Sequence, residues 1–174
     1  MSILRHIRAV LLLPAMVTIV VPGIIIFRTK AVDIGWSLSS PLRFAPVLGG
    51  IVLTGLGLTL IVKTISLFAT IGEGTLAPWE PPKRLVVRGV YRHVRNPMIS
   101  GVFFVLAGES VFFGSVPVFT WFIIFLLCNL VYIPLLEEPS LESRFGEDYV
   151  LYRRNVPRWI PRVRPWDEAN SRTR

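Results

Sequence analysis

The chain has a single cysteine, Cys128, and two histidines in 174 residues, and only 17% of its residues are charged. One cysteine excludes an intramolecular disulfide and so a disulfide-stapled scaffold. Soluble domains average about 25% charged residues, so 17% charged with 52% hydrophobic is too apolar for one. The same balance excludes a disordered chain or a collagen-like repeat. A Gly-x-Gly-x-x-Gly dinucleotide fingerprint is missing: Gly72-Glu73-Gly74 lacks the flanking strand and helix that would give it meaning. The net charge of +8 would suit nucleic acid only if the basic residues lay on one solvated surface. They are instead confined between long charge-free runs, so neither a nucleic-acid partner nor a metal site is expected.

Those runs give the architecture, because a charge at the bilayer centre costs about 2.5–3.5 kcal/mol on insertion scales. Ala9 to Phe27 and Phe44 to Val62 are each 19 residues without a charge, enough to cross about 30 Å of hydrocarbon at about 1.5 Å per residue. Asn96 to Leu136 holds 41 residues with one charge, Glu109. As one helix it would reach about 60 Å, twice a crossing, so it must fold back. Gly114-Ser115-Val116-Pro117 marks the turn, predicting a hairpin of helices near 97–113 and 118–136. The expected class is an all-α integral membrane protein of about four transmembrane helices with a small C-terminal helical cap. Residues 1–136 form the transmembrane region including a loop at 63–96, residues 137–166 the cap, and 167–174 a disordered tail.

Arg5 and Arg8 before the first apolar run resemble a signal peptide, but the run is long and further spans follow, so it reads as retained. With both termini on one side, sixteen of the 19 Lys and Arg fall on that side and three on the other. The positive-inside rule therefore predicts cytoplasmic termini, in the plasma (inner) membrane if the protein is prokaryotic. Lys63 is expected to snorkel to the headgroups from a helix that projects past the membrane. Glu109, three turns into the third span, shares a face with Gly101, Val105 and Gly108. Small residues there allow close helix packing. The acid is either a structural, hydrogen-bonded group or part of a lipid-side cavity.

Two polar segments face the cytoplasm in this reading. Residues 72–98 are rich in Gly and Pro and predict an irregular loop ending in Asn96-Pro97, the N-cap and first turn of span three. Arg92, His93 and Arg95 then lie beside a helix N-terminus, which favours an anion. Beyond span four, Glu137-Glu138-Pro139 opens the cap. Leu141 and Phe145 predict a short amphipathic helix ended by Gly146, and a second helix from Asp148 carries Tyr149 and Tyr152 on one face until Val156-Pro157 breaks it. Taken singly, these residues are ordinary interface anchors and helix ends. Together, an anion-ready helix start beside a carboxylate pair suits a zwitterionic ligand with amino and carboxylate groups.

Tyr91-Arg92-His93-Val94-Arg95-Asn96-Pro97-Met98-Ile99-Ser100-Gly101, then Glu137-Glu138, Phe145-Gly146 with Tyr149 and Tyr152, and Val156-Pro157-Arg158 with Pro161 resemble the isoprenylcysteine carboxyl methyltransferase and phospholipid methyltransferase superfamily of membrane enzymes. The resemblance covers 72–162; spans one and two match only in hydropathy. It implies S-adenosylmethionine-dependent methyl transfer to a lipid-like or prenylated acceptor from the bilayer. The family's Arg-His-Pro-x-Tyr-x-Gly motif falls on Arg95, Asn96, Pro97, Ile99 and Gly101, with Asn96 replacing His and Ile99 replacing Tyr. His93 is available to replace the missing imidazole.

The resemblance implies His93, Arg95, Asn96, Pro97, Met98, Gly101, Glu138, Tyr149 and Tyr152 at the cofactor, with the tyrosines either stacked on adenine or, as is commoner for such residues, packed in a core, and Glu137, Arg95 and Arg92 as catalytic candidates. A carboxylate acceptor needs no base and could be positioned by Arg92 or Arg95, whereas an amine acceptor needs one, for which Glu137 or Glu138 is suited. Two other classes fit less of this pattern: a sterol-type membrane reductase using a nicotinamide cofactor, and a non-catalytic membrane partner protein.

Overall fold

The computed structural model describes residues 12–71 and 85–167, and these are helices joined by short irregular segments. Helix α1 is Leu12–Thr29, α2 is Phe44–Ile71, α3 is Pro97–Phe113 and α4 is Val116–Phe145. A single 3-10 turn, Gly89–Arg92, precedes α3, and a short helix α5, Glu147–Asn155, follows α4. Among the described residues there is no strand. Helices α1, α2 and α4 are long and apolar enough to cross a bilayer. Helix α3, with 17 residues, stands at the short end of the crossing range of about 17–25. The chain is an integral membrane protein. Its N-terminal Arg5 and Arg8, most of the Gly- and Pro-rich loop (72–84) and the tail from 168 lie outside the described residues.

The most extensive contact joins α2 to α3. Gly50 faces Gly108 and Gly57 faces Gly101, so two glycine pairs at seven-residue spacing fix an antiparallel register. A Cβ on Gly57 would lie 2.5 Å from the Gly101 carbonyl oxygen, and one on Gly108 would lie 2.4 Å from Thr54 Oγ1. Without side chains at these points, the backbones approach closely enough for dispersion to hold the helices in lipid, where no hydrophobic drive remains. The shared face predicted for Gly101, Val105 and Gly108 is this interface, with Val102, Val105 and Leu106 buried beside Ile61. Helix α2 continues two turns beyond Lys63, to Ile71.

Helix α3 begins at Pro97 and ends at left-handed Gly114, as its turn signals predict. Two other expectations are corrected. Asn96 occupies the N-cap position, but its side chain makes no capping hydrogen bond. Its φ and ψ of −118° and 57° leave the usual cap geometry. Span four, expected to stop near 136, continues without interruption to Phe145 through a π-helical segment, Ile133–Glu137. Pro134 and Pro139 both lack an N–H, and a wider turn between them lets Glu138 N–H bond the Ile133 carbonyl instead. The inserted residue changes which side of the helix Glu138 faces.

The same device appears in α1. There Val21 N–H bonds Met16 and Pro22 offers no donor, so the Val17 carbonyl accepts from Trp121 Nε1 of α4 at 3.1 Å.

Candidate functional site

Beyond α5 the chain reverses along the segment that leads into α3. Arg95 N–H donates to the Pro157 carbonyl, Arg162 N–H to His93 and Trp166 N–H to Arg92, at 2.9–3.0 Å. Residues 156–166 thus form a strap running antiparallel to 92–95. Beneath it, Tyr149, Tyr152, Val156 and Trp166 form a small core with Leu141 and Phe145 around it. The tyrosines expected on one face of the second cap helix are there, each about 2–3% exposed.

Glu138 is the centre of the site. It is 4% exposed, and its carboxylate accepts from Arg95 Nη1 at 2.7 Å and from Arg158 in a two-pronged contact, Nε at 2.7 Å and Nη2 at 2.8 Å. One carboxylate thereby joins three elements: α4, the lead-in to α3, and the strap. Fork geometry makes the Arg158 pair a strong, directional contact, and it holds the Arg158 guanidinium charged by raising its pKa, chiefly through this hydrogen bond. Arg95 Nη1 also reaches the Tyr149 hydroxyl at 3.4 Å.

The Tyr152 hydroxyl donates to the Tyr91 carbonyl at 2.7 Å. Burial, then Tyr152 and Glu137, push the Tyr91 phenol far above the ordinary tyrosine range. Burial also raises the Tyr152 phenol well above that range and, with Glu138 adding and Arg95 opposing, raises that of Tyr149. All three stay neutral hydrogen-bond donors.

Of the residues anticipated from the sequence, Arg95, Glu138, Tyr149 and Tyr152 come together, with Asn96 and the buried Pro97 directly following Arg95. Glu137 is half-buried next to Glu138, and among the described residues its carboxylate has no ion pair or hydrogen bond. Arg92 and His93 are turned to the strap. Arg92 donates to the Trp166 carbonyl and pairs with Asp167 at 3.1 Å, so the tail is held at least that far. The His93 Nδ1 lies 2.8 Å from the Arg162 carbonyl, and since a carbonyl only accepts, Nδ1 donates this bond.

Gly101 faces α2, and Met98 is half-buried. The stacking surface expected of Tyr149 and Tyr152 is taken by protein: the two rings lie 6.3 Å apart and Tyr152 lies 5.8 Å from Trp166. Arg158, Tyr91 and Trp166 were not among the anticipated site residues. Arg158 stood in the quoted Val156-Pro157-Arg158, but only the chain reversal brings it to Glu138.

Three buried donors where the strap meets the lead-in to α3 have no partner among the described residues: Arg95 Nε, Asn96 Nδ2 and Trp166 Nε1. Each costs about 1–3 kcal/mol if left unsatisfied, and buried polar groups in folded proteins are otherwise nearly always paired. An acceptor-bearing ligand at the seam would relieve them. Alongside, Val87, Arg88, Gly89, Arg92, Trp166 and Asp167 line an open depression of about 410 Å³, within the range of about 300–1,000 Å³ usual for small-molecule sites.

Comparison with known proteins defines the class. Residues 46–148, more than half of the chain, match the phospholipid methyltransferase family. The chain belongs to that family, and it is a membrane methyltransferase. No curated protein matches it. The matched span runs from the start of α2 through Tyr91–Gly101 and both glutamates into the cap, and it favours methyl transfer over the reductase and non-catalytic readings.

Proposed function

We propose that the protein is an S-adenosylmethionine-dependent methyltransferase that acts on a lipid-like acceptor at the cytoplasmic membrane face. The observation that carries this is the set of buried donors without a partner among the described residues, Arg95 Nε, Asn96 Nδ2 and Trp166 Nε1, around the strap that Glu138 fastens, with Glu137 as the adjoining half-buried acid. Donors for a carboxylate together with an acid for an ammonium are what a zwitterionic ligand requires. When bound, S-adenosylmethionine supplies a methyl group activated on sulfonium sulfur.

The residues have distinct tasks in this reading. Arg95 Nε and Asn96 Nδ2 donate to the cofactor's carboxylate. Glu138 holds Arg95 in place from the opposite side, and Arg158 locks Glu138, so that both act by positioning. Tyr152 fixes the Tyr91 backbone, and Tyr149 braces the Arg95 guanidinium. Glu137 is the acid that precedes Glu138, in the π-helical segment of α4, where it can take the proton of an amine acceptor. A carboxylate acceptor would need no such transfer. Holding the reactants aligned beneath a cap that excludes water supplies much of the acceleration, since proximity alone can contribute about 7–11 kcal/mol.

Titration calorimetry of the full-length protein in nanodiscs tests this. Saturable binding of S-adenosylmethionine that weakens at least tenfold in Asn96→Ala, with the melting temperature kept, supports the site. Unchanged affinity in that variant removes it.

A further inference from the structure

Five arginines and no acid lie between Tyr149 and Trp166. Of these, Arg153 pairs with Glu142 and Arg158 with Glu138, whereas Arg154 and Arg164 are exposed and have no ion pair among the described residues. The same segment carries Ile160 and Val163, 80% and 94% exposed, the most exposed large apolar side chains of the described residues. Unlike the exposed apolar side chains of α1, α2 and α4, they belong to no spanning helix.

Their depth follows from two contacts. The Trp159 ring lies 5.3 Å from that of Phe103, which stands nearly two turns inside α3. Arg162, between Ile160 and Val163 in sequence, is held by bonds in both directions to His93, four residues before the start of α3. The apolar surface of α4 remains exposed up to Leu135 and Leu136, 66% and 61%, on the same side. The strap therefore sits at the bilayer edge rather than above it.

We infer that residues 159–164 are a membrane-docking element: Ile160 and Val163 enter the headgroup–acyl boundary of the cap-side leaflet, and Arg154 and Arg164 engage the phosphates of anionic lipids. Two apolar side chains beside arginines that have no ion pair among the described residues complement that surface, the arginines adding a preference for anionic lipid. Docking the strap also fixes the height of the Glu138 seam relative to the lipids, whichever acceptor is methylated.

The test uses the full chain, with Cys128→Ser as background, in nanodiscs of phosphatidylcholine with or without phosphatidylglycerol. Ile160→Cys, Val163→Cys and, as a control on the exposed start of α5, Glu147→Cys carry an environment-sensitive fluorophore. The expected result is blue-shifted emission at 160 and 163 and quenching by shallow nitroxide lipids several-fold greater than at 147. Phosphatidylglycerol should strengthen the quenching, and Arg154→Gln with Arg164→Gln should remove that increment. Water-like emission at 160 and 163 would overturn the assignment, as would a blue shift that lipid nitroxides do not quench, which would mean a protein partner covers the patch. Quenching indifferent to phosphatidylglycerol would overturn the anionic-lipid part.

Discussion

Arg95 and Glu138, 43 residues apart in sequence, meet through a 2.7 Å charge-assisted hydrogen bond with their side chains 9% and 5% exposed. Because both are buried, removing one strands the other. Glu138→Ala leaves two guanidinium groups without their carboxylate and should cost about 3–5 kcal/mol. Arg158→Lys keeps the charge but loses the fork and should cost about 1 kcal/mol, less because Arg158 is 31% exposed. Denaturant titration of the detergent-solubilised protein measures both. Equal, small losses would mean that the carboxylate does not organise the cap. A lost activity in Glu138→Ala is thus no proof of a ligand contact, and for this reason Asn96→Ala is the better probe of binding.

Methyl transfer in Glu137→Gln sorts the acceptors. With an amine acceptor the variant should lose about 10²–10⁴-fold in kcat while its melting temperature and cofactor affinity hold. With a carboxylate acceptor kcat should barely move.

Gly108→Ala should separate α2 from α3, since the new methyl would lie 2.4 Å from Thr54 Oγ1 and 2.8 Å from the Gly50 carbonyl oxygen. Overpacking of this kind costs about 1–3 kcal/mol. Gly55, where an added methyl would meet nothing within 4 Å, is the control: Gly55→Ala should be neutral or slightly stabilising, as helix propensity favours Ala. A thermal-shift comparison of the two in the same detergent reads the difference.

Alkaline pH should loosen the cap before it loosens the helices in lipid. Tyr91, Tyr149 and Tyr152 have folded pKa values raised above the unfolded value near 10.0. Their contribution to stability is therefore complete below pH 10 and is lost as pH rises above it. Tyrosinate absorbance should appear late and together with loss of the cap's near-ultraviolet circular dichroism. A gradual rise centred on pH 10 with the signal intact would contradict the burial of these phenols.

The transmembrane plan was legible because charge is costly in lipid: the gaps between charges located the spans, and Asn96-Pro97 and Gly114 bounded α3 at both ends. The end of α4 was not legible. Glu137-Glu138-Pro139 reads as a helix stop, whereas the π-helical turn between Pro134 and Pro139 carries the helix through. At the site, type and spacing marked the basic cluster at Arg92–Arg95, the Glu137-Glu138 pair and the shared face of Tyr149 and Tyr152, and the family resemblance supplied their roles. Arg158 and Trp166 did not, because their positions depend on a chain reversal set by backbone bonds to Arg92, His93 and Arg95 rather than by any local pattern.

Methyl-labelled S-adenosylmethionine, incubated with the protein in nanodiscs and a total lipid extract, shows whether the protein methylates a lipid. A labelled lipid product should form with wild-type protein and fall at least tenfold with Asn96→Ala at cofactor concentrations below saturation. Absence of any labelled lipid, with folded protein and intact cofactor, would contradict that activity.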